Sequence, residues 1–331
     1  MTAPSPPPPA FPLPIATTIT PGDTSDTTLL DPRLADQITV GAVELRRQDD
    51  IRYRTVDVPG SGTRALALDL LRPATGEPLP AVVYLPGGGF VMADRTNAVG
   101  LRSFVAESGF VVASVEYRTV SDKATYVDSV NDVHAAVAYL RSHAAEYGID
   151  PRAVGVWGES AGGYVAAMTG VTNEVDQFDA GPGADGRVDA VVDGFGASDL
   201  STLGADFNDE FQAYFRDNAT HFSAYLGAPG RKLSEITGIV RAADPATHAD
   251  AGTPPFLLLH GTKDILVSPS QTQRLHQALL AAGAGSTRYL LDGANHGDIA
   301  FLGHPDSGLP WSSTTTMGII TAFLHRHLDG S

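Results

Sequence analysis

VWGESAGGY, Val156 to Tyr164, is the stretch on which the reading of this chain turns. It runs from an apolar segment, AVGVWG (Ala153 to Gly158), into a small-residue segment, AGGYVAAMTG (Ala161 to Gly170). The first reads as a short buried strand and the second as a helix able to pack closely on a sheet. Between them Gly158, Ser160 and Gly162 have the G-x-S-x-G spacing, in which a serine sits on a sharp strand-to-helix corner with its hydroxyl exposed. A chain with 35 glycines also produces that spacing by chance, and a structural turn is the plain alternative. A strand before and a helix after favour a turn that presents Ser160.

Outward from this corner, short apolar strands alternate with helical segments, the pattern of a mostly parallel sheet covered on both faces. The strands are AVVYLPG (Ala81 to Gly87), GFVVASVEYR (Gly109 to Arg118), AVGVWG, VDAVVDGFG (Val188 to Gly196), PFLLLHG (Pro255 to Gly261) and STRYLLDG (Ser286 to Gly293). Helices are expected near Ala98 to Glu107, Tyr126 to Tyr147, Ala161 to Gly170, Ser270 to Ala282 and Thr314 to His327. In the second, Val130, Val133, His134, Val137, Ala138 and Leu140 share one side. Ser268 and Pro269 read as cap and first turn of the fourth. Ile51 to Val58 and Arg64 to Pro73 flank Gly-Ser-Gly and read as an antiparallel hairpin at a sheet edge. Residues 1–30, proline-rich from Pro4 to Pro14, read as a flexible tail. Residues 31–331 then form one α/β domain, with 198–249, rich in aromatics, as a small helical cap inserted between two strands.

Composition excludes several classes of function. The net charge is −16 and the pI about 4.8, which disfavours nucleic acid and anionic membranes as partners and leaves a small molecule as the expected ligand. With no cysteine there are no disulfides, thiolate metal sites or cysteine nucleophiles. No run approaches the roughly 18 apolar residues of a membrane span. Met1 to Asp26 has neither a basic start nor a continuous apolar run, so it does not read as a secretory leader and the cytoplasm is the expected location. H-E-x-x-H, Walker and calcium-loop patterns are missing, so no metal or cofactor is expected. An apolar helix near the C-terminus, if exposed, offers a surface for a homodimer.

A serine hydroxyl needs an imidazole to take its proton and a carboxylate to orient that imidazole. Of ten histidines, His296 in DGANHGD follows the last strand on a loop. His134, His143, His276, His325 and His327 fall in helices, and His260 reads as a satisfied histidine at a strand end or one that supports the site. In chain order the acid lies between serine and histidine. Asp264, on the loop after PFLLLHG, fits best; Asp292 and Asp298 stand as weaker candidates. LPGGGFV (Leu85 to Val91) follows a strand, and its Gly88 and Gly89 N–H groups, with that of Ala161, are the expected donors to a developing oxyanion. Phe90 and Tyr164 are the expected pocket residues, ahead of Val91, Phe195 and Asp199. Glu159 and Glu116 read either as a buried carboxylate pair behind the serine or as ordinary turn and surface contacts.

Together these motifs resemble the alpha/beta-hydrolase superfamily over roughly Leu71 to Leu328, within it the hormone-sensitive-lipase-like esterases. SVNDVHAAVAYLRSHAAEYGIDPRAVGVWGESAGG (Ser129 to Gly163) and HGTKDILVSPSQ (His260 to Gln271) are similar to bacterial acetyl-xylan and feruloyl esterase-like proteins of that group. The resemblance implies an alpha/beta-hydrolase fold and a serine carboxylesterase acting on small to medium acyl esters, with Ser160 as nucleophile, Asp264 as acid and His296 as base. Acyl transfer or amide cleavage on the same residues is the alternative, and a ligand-binding homologue without catalysis a further one. The family loop usually begins H-G-G-G, whereas Pro86 precedes Gly87 here, so another contact must brace it.

Overall fold

The strands that read as continuously apolar form the middle of a nine-stranded sheet. In the computed structural model, which describes residues 23–74, 76–217, 220–297 and 309–330, the strand order is β1-β9-β8-β7-β6-β4-β5-β3-β2. β4 (Leu79–Leu85), β5 (Val111–Val115), β6 (Ile149–Glu159), β7 (Ala190–Gly194), β8 (Phe256–Gly261) and β9 (Ser286–Leu291) run parallel. Every residue of β5, β7 and β8 is buried, which is why these strands lack the polar alternation of a one-faced sheet. The hairpin of β2 (Leu45–Val58) and β3 (Gly62–Pro73) is antiparallel and closes one edge. This is an alpha/beta-hydrolase fold, as the motifs imply.

The other edge differs from the sequence reading. Thr27–Leu30, at the end of the expected tail, is strand β1 and pairs in parallel with β9. Its four residues are too short to carry a periodic signal, and the pairing is set by side chains far along the chain. Arg288 donates to Thr27 Oγ1 at 2.8 Å, and His276 Nε2 bonds Asp26 O at 3.1 Å. Pro4 to Pro14 lie outside the described residues.

Helices cover both faces. One core layer holds α2 (Tyr126–Ser142), α4 (Ala161–Val171) and α8 (Ser270–Ala281); the other holds α1 (Val99–Glu107) and α9 (Thr314–Leu328). The expected helix to Tyr147 is interrupted at His143, whose Nδ1 bonds Tyr139 O at 2.9 Å; α3 (Ala144–Tyr147) follows. On α2, Val130, Val133, His134, Val137 and Leu140 are buried, and Ala138 is half-buried at the margin. The apolar side of α9 is not an exposed surface: Met317, Ile320, Phe323, Leu324 and Leu328 are buried in the core, which removes the basis for a dimer through it. Among the described residues no helix is long and apolar enough to cross a membrane.

Between β7 and β8 the chain forms α5 (Asp209–Asp217), α6 (Thr220–Tyr225) and α7 (Thr237–Ala242) with short 3-10 turns. This insertion is tied to the sheet domain by polar contacts. Asp206 accepts from Ser270 N at 2.8 Å and from the Ser270 hydroxyl, so it, rather than Ser268, caps α8. Ser268 Oγ instead accepts from Asp206 N at 3.0 Å. Tyr164 donates to Ala243 O at 2.7 Å.

Candidate active site

The five loops that meet at the site all leave carboxyl ends of parallel strands, where open α/β sheets place ligands. They follow β4, β6, β7, β8 and β9 and carry in turn Gly87 to Phe90, Ser160, Phe195, Asp264 and His296. At the β6–α4 corner Ser160 has φ 57° and ψ −122°, a conformation L-residues rarely adopt. The neighbouring glycines permit so sharp a turn: a Cβ on Gly158 would collide with the Gly162 carbonyl, and one on Gly162 with Leu85 O. Ser160 N donates to Gly194 O at 2.8 Å, fastening the corner to β7.

His296 Nε2 lies 2.7 Å from Ser160 Oγ, and His296 Nδ1 lies 2.8 Å from Asp264 Oδ2. Asp264 is fully buried, and its other oxygen accepts from Leu266 N and Val267 N, each at 2.9 Å. Burial pushes its pKa up, but the charge of His296 and hydrogen bonding from His260 and His296 outweigh it and hold the carboxyl well below its ordinary range. An ionised Asp264 with Oδ2 facing Nδ1 fixes the proton of His296 there, leaving Nε2 as acceptor for the serine proton. The weaker acid candidates are elsewhere: Asp292 pairs with Arg33 at 3.0 Å, and Asp298 lies outside the described residues.

The glycine loop passes directly over the corner. A Cβ on Gly87 would stand 3.1 Å from Ser160 Cβ, so this approach requires glycine. Gly88 has φ 157° and Gly89 φ 60°. Among the described residues the N–H groups of Gly88, Gly89 and Ala161 have no hydrogen-bond acceptor, which leaves them available to an anionic oxygen. The brace that Pro86 calls for is Tyr117, buried after β5, whose hydroxyl donates to Pro86 O at 2.7 Å. Further along, Gly88 O accepts from Val91 N, and Phe90 O from Val120 N.

Phe90 and Tyr164, the expected pocket residues, are both buried. Phe90 is 4% exposed and Tyr164 fully buried, packed edge to face at 5.3 Å, with Tyr225 of the insertion stacked on Phe90 at 4.5 Å. Among the weaker candidates, Asp199 caps a turn by accepting from Ser201 N, while Phe195 meets His296 edge-on at 4.8 Å and Trp311 at 4.4 Å. Glu159 and Glu116 are not a pair. Glu159 accepts from Tyr84 OH at 2.8 Å, and burial raises its pKa, whereas Glu116 bonds Arg95.

Three supporting residues had no sequence signal: Tyr117, Asn295 and Trp311. Asn295 Oδ1 accepts from Ile265 N at 3.2 Å and His296 N at 2.8 Å, tying together the loops that carry acid and histidine. Trp311 Nε1 donates to Asn295 O at 2.9 Å. Such links join residues distant in sequence, so only the fold reveals them.

The chain is similar to known proteins in sequence and in fold. Residues 68–279 match the family model described as BD-FAE. Esterase LipQ of Mycobacterium tuberculosis is 31% identical over 250 residues, 73% of this chain and 57% of that protein. A probable isoprenylcysteine alpha-carbonyl methylesterase, ICMEL1 of Oryza sativa subsp. japonica, is 28% identical over 73% of this chain and 56% of its own length. The chain spans about half the length of the curated relatives it matches. Among solved structures, a truncated carbohydrate esterase from gut microbiota superposes with TM-score 0.73 at 23% identity, covering 89% of this chain and all of that one. Native esterase 2 of Thermogutta terrifontis superposes with TM-score 0.62 at 25% identity, over 86% and 92%. With its family model matched from β3 through most of α8, serine corner included, the chain belongs to the BD-FAE family of the alpha/beta-hydrolase fold.

Proposed function

We propose that the chain is a serine carboxylesterase that works through an acyl-enzyme. The observation that carries this reading is the continuous line from Asp264 through His296 to Ser160, at 2.8 and 2.7 Å, on a strained strand-to-helix corner. The naming of relatives and structural neighbours as esterases agrees with it.

Ser160 Oγ attacks the ester carbonyl carbon while His296 Nε2 takes its proton. The carbonyl π electrons move to oxygen, and the resulting oxyanion accepts from the N–H groups of Gly88, Gly89 and Ala161. Collapse re-forms the carbonyl and expels the alcohol, which leaves with the proton from His296. Water then repeats the sequence on the acyl-serine and frees the acid. Asp264 stays ionised throughout and stabilises the imidazolium.

The substrates are small to medium acyl esters. Residues 198–249 serve as a cap, supported by Tyr225 stacking on Phe90 of the glycine loop and by Phe222 meeting the same ring edge to face.

The test is hydrolysis of 4-nitrophenyl esters from acetyl to long acyl chains by wild type and Ser160→Ala, with folding checked by circular dichroism. Wild type is expected to cleave the short esters, and the variant to lose at least about 10³-fold in kcat. A folded wild type that neither hydrolyses the series nor reacts with a fluorophosphonate at Ser160 would overturn the proposal.

A further inference from the structure

A second imidazole stands against the acid. His260, the fifth residue of β8, is fully buried, and its Nε2 lies 3.2 Å from Asp264 Oδ2, the oxygen that faces His296. The same nitrogen is 3.0 Å from Val267 O. A carbonyl and an ionised carboxylate only accept, so the proton of His260 must sit on Nε2, bonded to Val267 O with Asp264 Oδ2 beside it.

The other side of the ring fits that assignment. Nδ1 is 3.0 Å from Thr272 Oγ1 on α8, and that hydroxyl receives Arg288 Nε at 3.1 Å. The Thr272 hydroxyl hydrogen has two acceptors in reach, Nδ1 at 3.0 Å and Pro269 O at 3.2 Å, and the Nε2–H assignment directs it along the shorter contact to Nδ1. Arg288, on β9, is itself buried, its remaining bonds going to Thr27, Gln273 and Pro269 O, and burial lowers its pKa to about 10. A buried relay therefore runs Arg288, Thr272, His260, Asp264, His296, Ser160. The titratable groups facing His260 are Asp264, Arg288 behind Thr272 and, on the same side of the sheet in β7, Asp193 opposite Leu258.

We infer that His260 is a positioning residue for the acid: locked as the Nε2–H tautomer, it draws on the charge of Asp264 Oδ2 and so limits how strongly that carboxylate holds an imidazolium at His296. The inference rests on the esterase reading for its catalytic consequence, but not for its structural one. Without this donor, more of the carboxylate charge bears on His296, and the histidine becomes the group that is harder to deprotonate.

His260→Phe should move the acid limb of the kcat/KM–pH profile upward by on the order of one pH unit. His260→Gln, whose Nε2 can replace the lost donor, should keep the limb near the wild-type position. A limb unmoved in His260→Phe, or moved equally in both, would reduce His260 to a packing role and overturn the inference. Nitrogen-15 NMR of histidine-labelled wild type needs neither turnover nor a folded variant. It should show His260 as Nε2–H; an Nδ1–H tautomer would overturn the inference even if no ester is ever turned over. Failure of the esterase reading would show separately, as absence of wild-type hydrolysis and of fluorophosphonate labelling.

Discussion

Ser160 combines backbone strain with a hydroxyl held against an imidazole. Its positive φ carries a cost of about 1–3 kcal/mol for a residue with a Cβ, sustained by the bond to Gly194 O and by the packing of α4. Ser160→Gly and Ser160→Ala both lack the hydroxyl, but only glycine relieves the strain. The glycine variant should therefore be more stable than the alanine variant by about 1 kcal/mol in urea unfolding. Equal midpoints and slopes would mean that the corner stores no strain at this position. His296, which meets the hydroxyl, and Asp264, which meets His296, were legible because each follows an apolar strand on a loop. The burial of Phe90 and Tyr164 was not legible, because a residue following a strand end can turn inward as readily as toward a ligand. Aromatic rings contributed by the insertion drew them in.

At the scale of elements, the glycine loop depends on neighbours that it cannot supply. Pro86 has no N–H and fixes its own φ, but the loop still needs an external anchor, and Tyr117 provides it from beyond β5. Tyr117→Phe removes one hydroxyl and leaves Pro86 O unpaired in the interior, at a cost of about 1–3 kcal/mol. If Gly88 and Gly89 are oxyanion donors, kcat should fall about tenfold with KM changed much less. Steady-state kinetics beside a thermal melt separate the two effects, and an unchanged kcat would show that the loop holds its shape without the brace. The β strands and the helices that cover them were readable one by one, since burial on both faces leaves continuous apolar runs. β1 was not, because four residues carry no period and its partner lies more than 250 residues away.

Across the whole molecule, buried charge sets how stability responds to pH. Asp193, in the middle of the sheet, is fully buried with Oδ1 bonded to Gly196 N at 2.8 Å, and burial raises its pKa to about 7. A carboxyl whose folded pKa exceeds its unfolded value contributes most below the unfolded value, near 4, and loses that contribution as pH rises to about 7. Asp193→Asn cannot titrate. Its stability relative to wild type should therefore improve steadily between pH 4 and pH 7 and level off above, by a few kcal/mol at most, on the order of 1.4 per pH unit. Denaturant unfolding at intervals across that range checks this; a constant difference would mean that Asp193 is ionised throughout. Asp264 acts with the opposite sign, since its lowered pKa favours the folded state until pH falls through the acid range.

Local pattern alone determined the strand and helix types, the antiparallel edge hairpin, the sharp corner at Ser160 and the loop positions of Asp264 and His296. Each follows from a short-range rule: a two-face apolar run, a glycine spacing, or a polar residue just past a strand end. Tertiary structure alone decided which groups come within hydrogen-bond reach of one another. It joined Tyr117 to Pro86, Asn295 to the loops of Asp264 and His296, and Arg288 through Thr272 to His260, and it turned Phe90, Tyr164 and the apolar side of α9 inward. The physical reason is that a polar group removed from water must find a partner wherever the packed chain brings one, and an apolar face turns to whatever surface covers it. Neither choice is written in the residues adjacent in sequence.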